Sequence, residues 1–132
     1  MTMNDSFSSV WTPRVLSILR IVTSADILQH GTTKLFGFPG APLAAHPIFP
    51  VLIAGVIEFV GSLLVLAGFY TRAAAFILSG EMAVAYFMAH FPHSFFPYNN
   101  GGSLAIMYCF VFLYLVFAGA GPWSVDACRG KA

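Results

Sequence analysis

The sequence predicts an all-α fold, a polytopic membrane four-helix bundle that forms one domain over residues 1–132. Only 8% of the residues are charged and 58% are hydrophobic, whereas soluble domains carry roughly 25% charged residues. The mean hydropathy of +0.82 agrees with this imbalance. Four apolar segments each approach the ~20 residues that a helix needs to cross a ~30 Å hydrocarbon core. They are too long and too continuously apolar for the alternating strands of a membrane barrel.

The first of these segments is the least apolar, and the chain enters it through an aromatic and basic lead. Trp11 stands just before Pro13 and Arg14, where its side chain suits an anchor at the membrane interface. The other three segments are almost continuously apolar, as expected for helices surrounded by lipid and by one another. The pattern predicts transmembrane helices at about residues 15–36, 48–70, 72–90 and 103–120.

The connections between the segments differ in length and composition. Gly68 can end the second helix and Thr71 can begin the third, so this connection is short. The other two connections span about 37–47 and 91–102 and are rich in Pro, Gly and Asn, which is typical of loops.

Lys and Arg residues are distributed unevenly between the two sides of the predicted membrane domain. The two long loops contain neither residue type. Because cytoplasmic segments carry the excess of positive charge, this bias predicts cytoplasmic N and C termini. The basic residues that flank the membrane on that side are Arg14, Arg72, Arg129 and Lys131.

Ionisable side chains interrupt the predicted helices at hydrocarbon depth. A charge at the bilayer centre costs about 2.5–3.5 kcal/mol on insertion scales, so these side chains are expected to turn away from lipid. Counted from the outer ends at ~1.5 Å per residue, Asp26, Glu58 and Glu81 lie about 13–15 Å deep, close to the midplane. The polar residues of the first helix share one side of a helical wheel. The sequence therefore predicts an interior polar cluster of Asp26, Glu58 and Glu81, with Arg20, His30 or Lys34 as counter-charges.

Two interpretations of this cluster stay open at the level of the sequence. It can be structural, a set of interhelical hydrogen bonds that fixes the packing, each contributing only about 0.6 kcal/mol. It can also be functional, the usual role of ionisable groups inside a membrane, as a site for proton transfer, quinone contact or solute binding. Tyr86 and Tyr108 lie somewhat nearer the outer face, where they are candidate ligand contacts.

Several other classes of site are not expected in this chain. His90 and His93, with His46, gather near the outer face, but Pro92 interrupts the helical spacing of a ligand pair, so no metal site is predicted. No basic patch points to nucleic acid as a partner. The chain also lacks a Gly-rich phosphate loop, an HExxH motif and a haem-binding CxxCH motif.

Four stretches carry a family pattern over nearly the whole chain: GTTKLFGF at 31–38, IEFVGSLLVLAGFYTRAAA at 57–75, EMAVAYFMAHFP at 81–92 and NNGGSLAIMYCFVFLYLVFAGAGPWSVDA at 99–127. In these stretches the chain resembles the DoxX family of small four-helix bacterial membrane proteins. The family usually has an acidic residue after Asn-Gly-Gly, where this chain has Ser103. The residues that match recurrent family positions are Lys34, Glu58, Arg72 and Asp126.

The resemblance implies a multi-pass protein of the bacterial plasma (inner) membrane. Relatives include a subunit associated with thiosulfate:quinone oxidoreduction and proteins linked to thiol and oxidative-stress complexes with a superoxide dismutase and a sulfurtransferase. We therefore expect an accessory or quinone-docking subunit, in which a quinone carbonyl accepts a hydrogen bond from Lys34, His30 or Tyr108. The carboxylates of the predicted cluster would exchange the proton.

Size limits the chemistry that such a chain could perform. It is too small to carry a flavin or haem domain, so no covalently bound cofactor is expected, and the ligand that the resemblance implies is a quinone. Whether the chain is an enzyme by itself stays open. The alternatives are a non-catalytic scaffold or anchor that recruits a larger complex and, less favoured because no inverted repeat is present, a small-solute or proton carrier. The expected partners are the lipid bilayer and either a redox protein or further copies of the chain.

Overall fold

A computed structural model describes residues 3–40 and 48–132, and within them the chain is helical and has no strand. The all-α prediction is therefore confirmed for this part of the chain. His46 lies outside the described residues. The helices are α1 (Met3–Phe36), α2 (Ile48–Ala67), α3 (Thr71–Ala85), α4 (Pro97–Asn100), α5 (Ser103–Ala118) and α6 (Val125–Cys128).

Two of the helical stretches are long and apolar enough to cross a membrane. They are Phe49–Ala67 and the continuous stretch Thr71–His93, in which α3 runs on through a π-helical turn at Tyr86–His90 and a 3-10 turn. Helix α5 is apolar but shorter. The described helices number six rather than four, because α4 and α6 are single turns in stretches predicted as a loop and a tail. A count of four membrane crossings stays a prediction.

Helix α1 is longer than the apolar segment that predicted it. It begins at Met3 and contains Pro13, a residue that normally ends or kinks a helix because it lacks a backbone N–H. Near this point the Ser17 hydroxyl donates a hydrogen bond to the Pro13 carbonyl over 3.3 Å. The polar N-terminal lead is thus part of the first helix.

The four long helices pack as neighbours in a ring with one weak junction. Helix α1 packs along α2, α3 along α5, and α2 against α3, whereas α1 and α5 touch far less. Gly31 allows the close approach of α1 and α2, because a Cβ atom there would lie 2.6 Å from the Phe59 nitrogen. The buried apolar core includes Ile27, Val65, Leu78, Phe112 and Leu115.

The two ends of the ring are built differently. The turn end consists of the tight turn Gly68–Tyr70 between α2 and α3 and of residues 119–128, which return over it after α5. The predicted role of Gly68 is confirmed, because α2 ends at Ala67 and Gly68 has a φ of +69°. The loop end consists of residues 37–40 and 91–102.

Candidate functional site

Arg20 is fully buried at the turn end. Its guanidinium donates hydrogen bonds to the carbonyl oxygens of Ala120 (2.8 Å), Val65 (2.6 Å) and Leu66 (2.5 Å), and also to that of Trp123. These acceptors come from the last turn of α2 and from the segment after α5. The structure therefore does not place Arg20 as a counter-charge to the interior carboxylates, because its donors are taken up by backbone carbonyls.

Asp126 completes the same end of the molecule. Its carboxylate accepts hydrogen bonds from the backbone N–H groups of Tyr70 (3.1 Å) and Thr71 (2.9 Å) at the start of α3. Burial by itself raises the pKa of the Asp126 carboxyl, but these donors and the Arg129 guanidinium outweigh it, so the net shift lowers that pKa. Its own N–H donates to the Gly68 carbonyl over 2.8 Å. Asp126 therefore ties the C-terminal segment to the turn between α2 and α3.

Three helices contribute to an acid–lysine trio, which consists of Lys34 on α1, Glu58 on α2 and Glu81 on α3. Lys34 Nζ lies 2.5 Å from Glu58 Oε1 and forms an ion pair with it. Glu58 is 2% exposed, and its charge and that of Lys34 lie within electrostatic range of Glu81. Glu58 Oε2 and Glu81 Oε2 are buried and have no hydrogen-bond partner. The trio is the place in the described interior where carboxylate oxygens lack a donor.

A second group of polar side chains lies at the seam, the weak junction between α1 and α5. The Tyr108 hydroxyl of α5 donates a hydrogen bond to Asp26 Oδ2 of α1. The His30 ring stands edge-on to the Tyr108 ring, with centroids 6.2 Å apart. Tyr108 is buried, whereas Asp26 and His30 are exposed on the protein surface. This surface belongs to the middle of α1, the helix that the sequence predicts to cross the membrane first.

Tyr86 is not part of either group. It lies in the π-helical turn at the loop end, where its hydroxyl accepts a hydrogen bond from Asn100 Nδ2 over 3.4 Å. Its ring packs against Gly102, where a Cβ atom would lie 2.6 Å from the ring. His90 Nδ1 is 3.1 Å from the Asn100 carbonyl oxygen. These contacts order the chain that leads into α5.

The residues predicted to share one interior spot are thus divided among separate centres. Along α1 the levels of Arg20, Asp26 and Lys34 are separated by about 9 Å and about 12 Å at ~1.5 Å per residue. The structure brings Lys34, Glu58 and Glu81 together and, separately, Asp26, His30 and Tyr108. Depth was counted from the outer end of each helix separately, which does not fix how the helices align: Glu58 lies at the level of Lys34 and not of Asp26.

Two contacts at the turn end were not predicted as roles. The Arg72 guanidinium donates to the carbonyls of Val116 (2.8 Å) and Phe117 (2.7 Å) in the last turn of α5. Ser124 accepts from the Ala127 N–H over 3.0 Å and caps the short helix α6. The Ser-Val-Asp order was the available signal, because serine favours the N-cap position and an acidic residue favours the first turn.

Two surface grooves add to this description. A groove of about 340 Å³ runs along the seam toward the turn end, between the first turns of α1 and Tyr114 of α5. Another, of about 550 Å³, is lined by apolar side chains of α2 together with Phe69 and Val125. Within residues 3–40 and 48–132, no three His, Cys, Asp or Glu side chains are grouped so that they could hold a metal ion.

Helical structure, apolar helices of membrane-spanning length and a polar interior define the class: a small helical membrane protein. The DoxX family model matches residues 15–91, more than half of the chain, and the chain belongs to this family. A Haemophilus influenzae (strain Rd) protein described as uncharacterized is 48% identical in an alignment of 122 positions that covers 86% of this chain and 90% of that protein. No solved structure matches the chain.

Proposed function

We propose that this DoxX family member is a multi-pass inner-membrane protein that docks a quinone as an accessory subunit for a redox or thiol-linked oxidative-stress partner. In this arrangement α1, α2, α3 and α5 cross the membrane and both termini are cytoplasmic. The distribution of basic residues supports this orientation. Arg72 and Arg129 lie at the turn end, whereas residues 91–102 of the loop end contain no Lys or Arg.

The polar seam between α1 and α5 is the observation that carries the proposal. Asp26 and His30 are exposed there, at a depth where water is scarce and exposed polar groups are costly. A lipid-soluble ligand with polar oxygens would reach the seam through the bilayer. It would supply these two side chains with the hydrogen bonds that water does not. The weak contact between α1 and α5 leaves this side of the ring as the entrance.

The chemistry of the seam fits a quinone headgroup better than the ion pair of the trio does. A quinone carbonyl is a hydrogen-bond acceptor, and the donor left for it at this level is a His30 ring N–H, because the single O–H of Tyr108 is donated to Asp26. Lys34 was a third candidate donor, but it pairs with Glu58 of α2 rather than with a group of the seam. The apolar side chains of Val15, Leu16 and Leu19, in the groove that continues the seam, offer a place for the isoprenoid tail.

A tryptophan placed beside the seam provides a direct binding test. The chain has two tryptophans, so W11F/W123F removes both, and V22W then adds a single indole on the exposed surface of α1, one turn from Asp26. Its quenching by decylubiquinone is titrated in nanodiscs. We expect saturable quenching, and we expect H30F to weaken binding about tenfold, because a lost hydrogen bond of about 1.4 kcal/mol corresponds to that factor. H93F, a substitution of an exposed histidine at the loop end, is the matched control and should not change the affinity.

Collisional quenching within the bilayer is the background that must be subtracted. A tryptophan ester in the same nanodiscs measures it. Quenching no stronger than this background, or an affinity unchanged by H30F, would contradict quinone docking at the seam. If the chain then still co-purifies in fixed proportion with a partner protein, the scaffold function is the better description.

A further inference from the structure

The buried oxygens of the acid–lysine trio lack the donors that buried carboxylates require. Glu58 is 2% exposed and uses Oε1 for Lys34, which leaves Oε2 buried and without a partner. Glu81 Oε2, on the neighbouring helix α3, is likewise buried and has no hydrogen-bond partner. A buried carboxylate oxygen without a hydrogen bond is costly, so the ionised form of both acids at once is disfavoured here.

The charges around Glu81 do not balance if both acids are ionised. Helix α2 contributes Glu58 and α1 contributes Lys34, so two carboxylates face one ammonium group. Helix α5 contributes Tyr108, whose hydroxyl donates a hydrogen bond to Asp26. It also contributes Cys109, whose thiol is 3.6 Å from the Ser79 hydroxyl. The nearest titratable group farther along the Glu81 helix is Tyr86, which hydrogen-bonds to Asn100. A net negative charge would thus remain among three helices, with Glu58 buried and Glu81 half-buried, which is unfavourable.

We propose that the acid–lysine trio holds one exchangeable proton, carried on the Glu81 carboxyl, so that Lys34, Glu58 and Glu81 together are neutral. The Lys34 ammonium stabilises the ionised form of Glu58, with which it is paired, and the proton therefore belongs to Glu81. A protonated Glu81 supplies the missing donor of this site. The exchange is a simple ionisation, in which Glu81 releases the proton and keeps both electrons of the O–H bond.

This proton site deepens the proposed function, because it would serve as the proton store of a protein that docks a quinone. That use rests on the proposed function, but the existence of the site does not. The experiment therefore contains no quinone, so that its failure and the failure of quinone docking are separate results.

Dicyclohexylcarbodiimide tests for the proton directly. This apolar reagent enters membranes and adds to a protonated carboxyl group, and the adduct rearranges to a stable acylurea without loss of atoms. The full chain in nanodiscs is treated at neutral pH, and the labelled peptide is located by mass spectrometry. We expect the adduct on Glu81, and E81Q should lose it. The infrared carbonyl band of a protonated carboxylic acid should be present in the unlabelled protein and absent in E81Q.

Two further variants separate a proton site from a merely structural acid. In E58Q, Lys34 has Glu81 as the remaining acid of the trio, and this attraction should ionise Glu81 and reduce its labelling about tenfold or more. S62A is the matched control, because Ser62 is buried one turn further along α2 and its hydroxyl bonds only to the Phe59 carbonyl of its own helix. Its labelling should equal that of the wild type. Elution as a single species confirms that each variant is folded.

Three outcomes would overturn the proposal. The first is the absence of both the adduct and the infrared band in the wild type. The second is equal labelling of Glu81 in the wild type and in E58Q. The third is protection of Glu81 by sodium chloride but not by choline chloride, which would mean that the trio binds a metal cation instead of a proton.

Discussion

The turn end and the acid–lysine trio both bury ionisable side chains, but they satisfy them to different degrees. At the turn end, Arg20 donates to four carbonyls and the Asp126 carboxylate accepts from two backbone N–H groups. In the trio, Lys34 and Glu58 form one ion pair, and Glu58 Oε2 and Glu81 Oε2 have no hydrogen-bond donor. Charges of the first kind hold chain segments together, whereas charges of the second kind remain available to a ligand.

This comparison predicts that the turn end dominates stability. R20A should lower the free energy of unfolding by about 3 kcal/mol or more, because each buried carbonyl left without a donor costs about 1–3 kcal/mol. R20K should recover part of the loss, since an ammonium group reaches fewer of the four acceptors. Thermal unfolding in detergent measures both variants. A melting temperature of R20A within error of the wild type would remove Arg20 from its proposed structural role.

Asp126 should contribute a smaller, pH-dependent share. D126N should cost about 1.5–3 kcal/mol at neutral pH, the range for hydrogen bonds to a charged group. Because folding lowers the Asp126 pKa, this stability is present above the unfolded pKa of about 3.9. It is lost as the pH falls through the folded pKa. Unfolding of D126N should therefore be less acid-sensitive than that of the wild type. Parallel pH profiles for the two proteins would contradict this assignment.

The seam should matter less to stability. Y108F removes the hydrogen bond to Asp26, and interhelical bonds of this kind contribute about 0.6 kcal/mol on average in membranes. We therefore expect a small loss of stability in Y108F, measured by the same thermal unfolding. A loss comparable to that of R20A would show that the seam is a structural joint.

The smallest effect is expected in the trio. Glutamine keeps the size of the side chain and is uncharged, like a protonated Glu81, so the unfolding free energy of E81Q should change by no more than about 0.5 kcal/mol. The same unfolding assay measures it. A cost as large as that of R20A would make the trio part of the structural framework and remove the distinction between the two regions.

Much of the fold could be predicted because the hydrophobic pattern is strong. The all-α class and the short turn at Gly68 followed from the apolar segments and from one glycine. The start of α1 at Met3 did not, because its first turns are polar and contain Pro13, both of which argue against a helix. The helix α4 was also missed, since the Pro-Tyr-Asn-Asn sequence favours a turn.

The sequence predicted which residues take part in the candidate site but not which of them pair with one another. Burial cost correctly indicated that Glu58 turns inward, and the residue is buried. The pairing of side chains depends on the relative rotation and height of two helices, which a single sequence does not encode. For this reason Arg20 was expected beside acids, although it binds backbone carbonyls more than two helical turns away from Lys34.

The π-helical turn at Tyr86–His90 has a consequence for how the chain tolerates change in length. Its backbone hydrogen bonds span five residues where an α-helix spans four, so the turn accommodates one surplus residue. Deletion of a single residue there would return the stretch to ordinary α-helical winding. The register of everything before Tyr86, Glu81 included, would be unaffected, and the residues after the turn would keep their positions. The chain thus carries a built-in length buffer between α3 and the loop end.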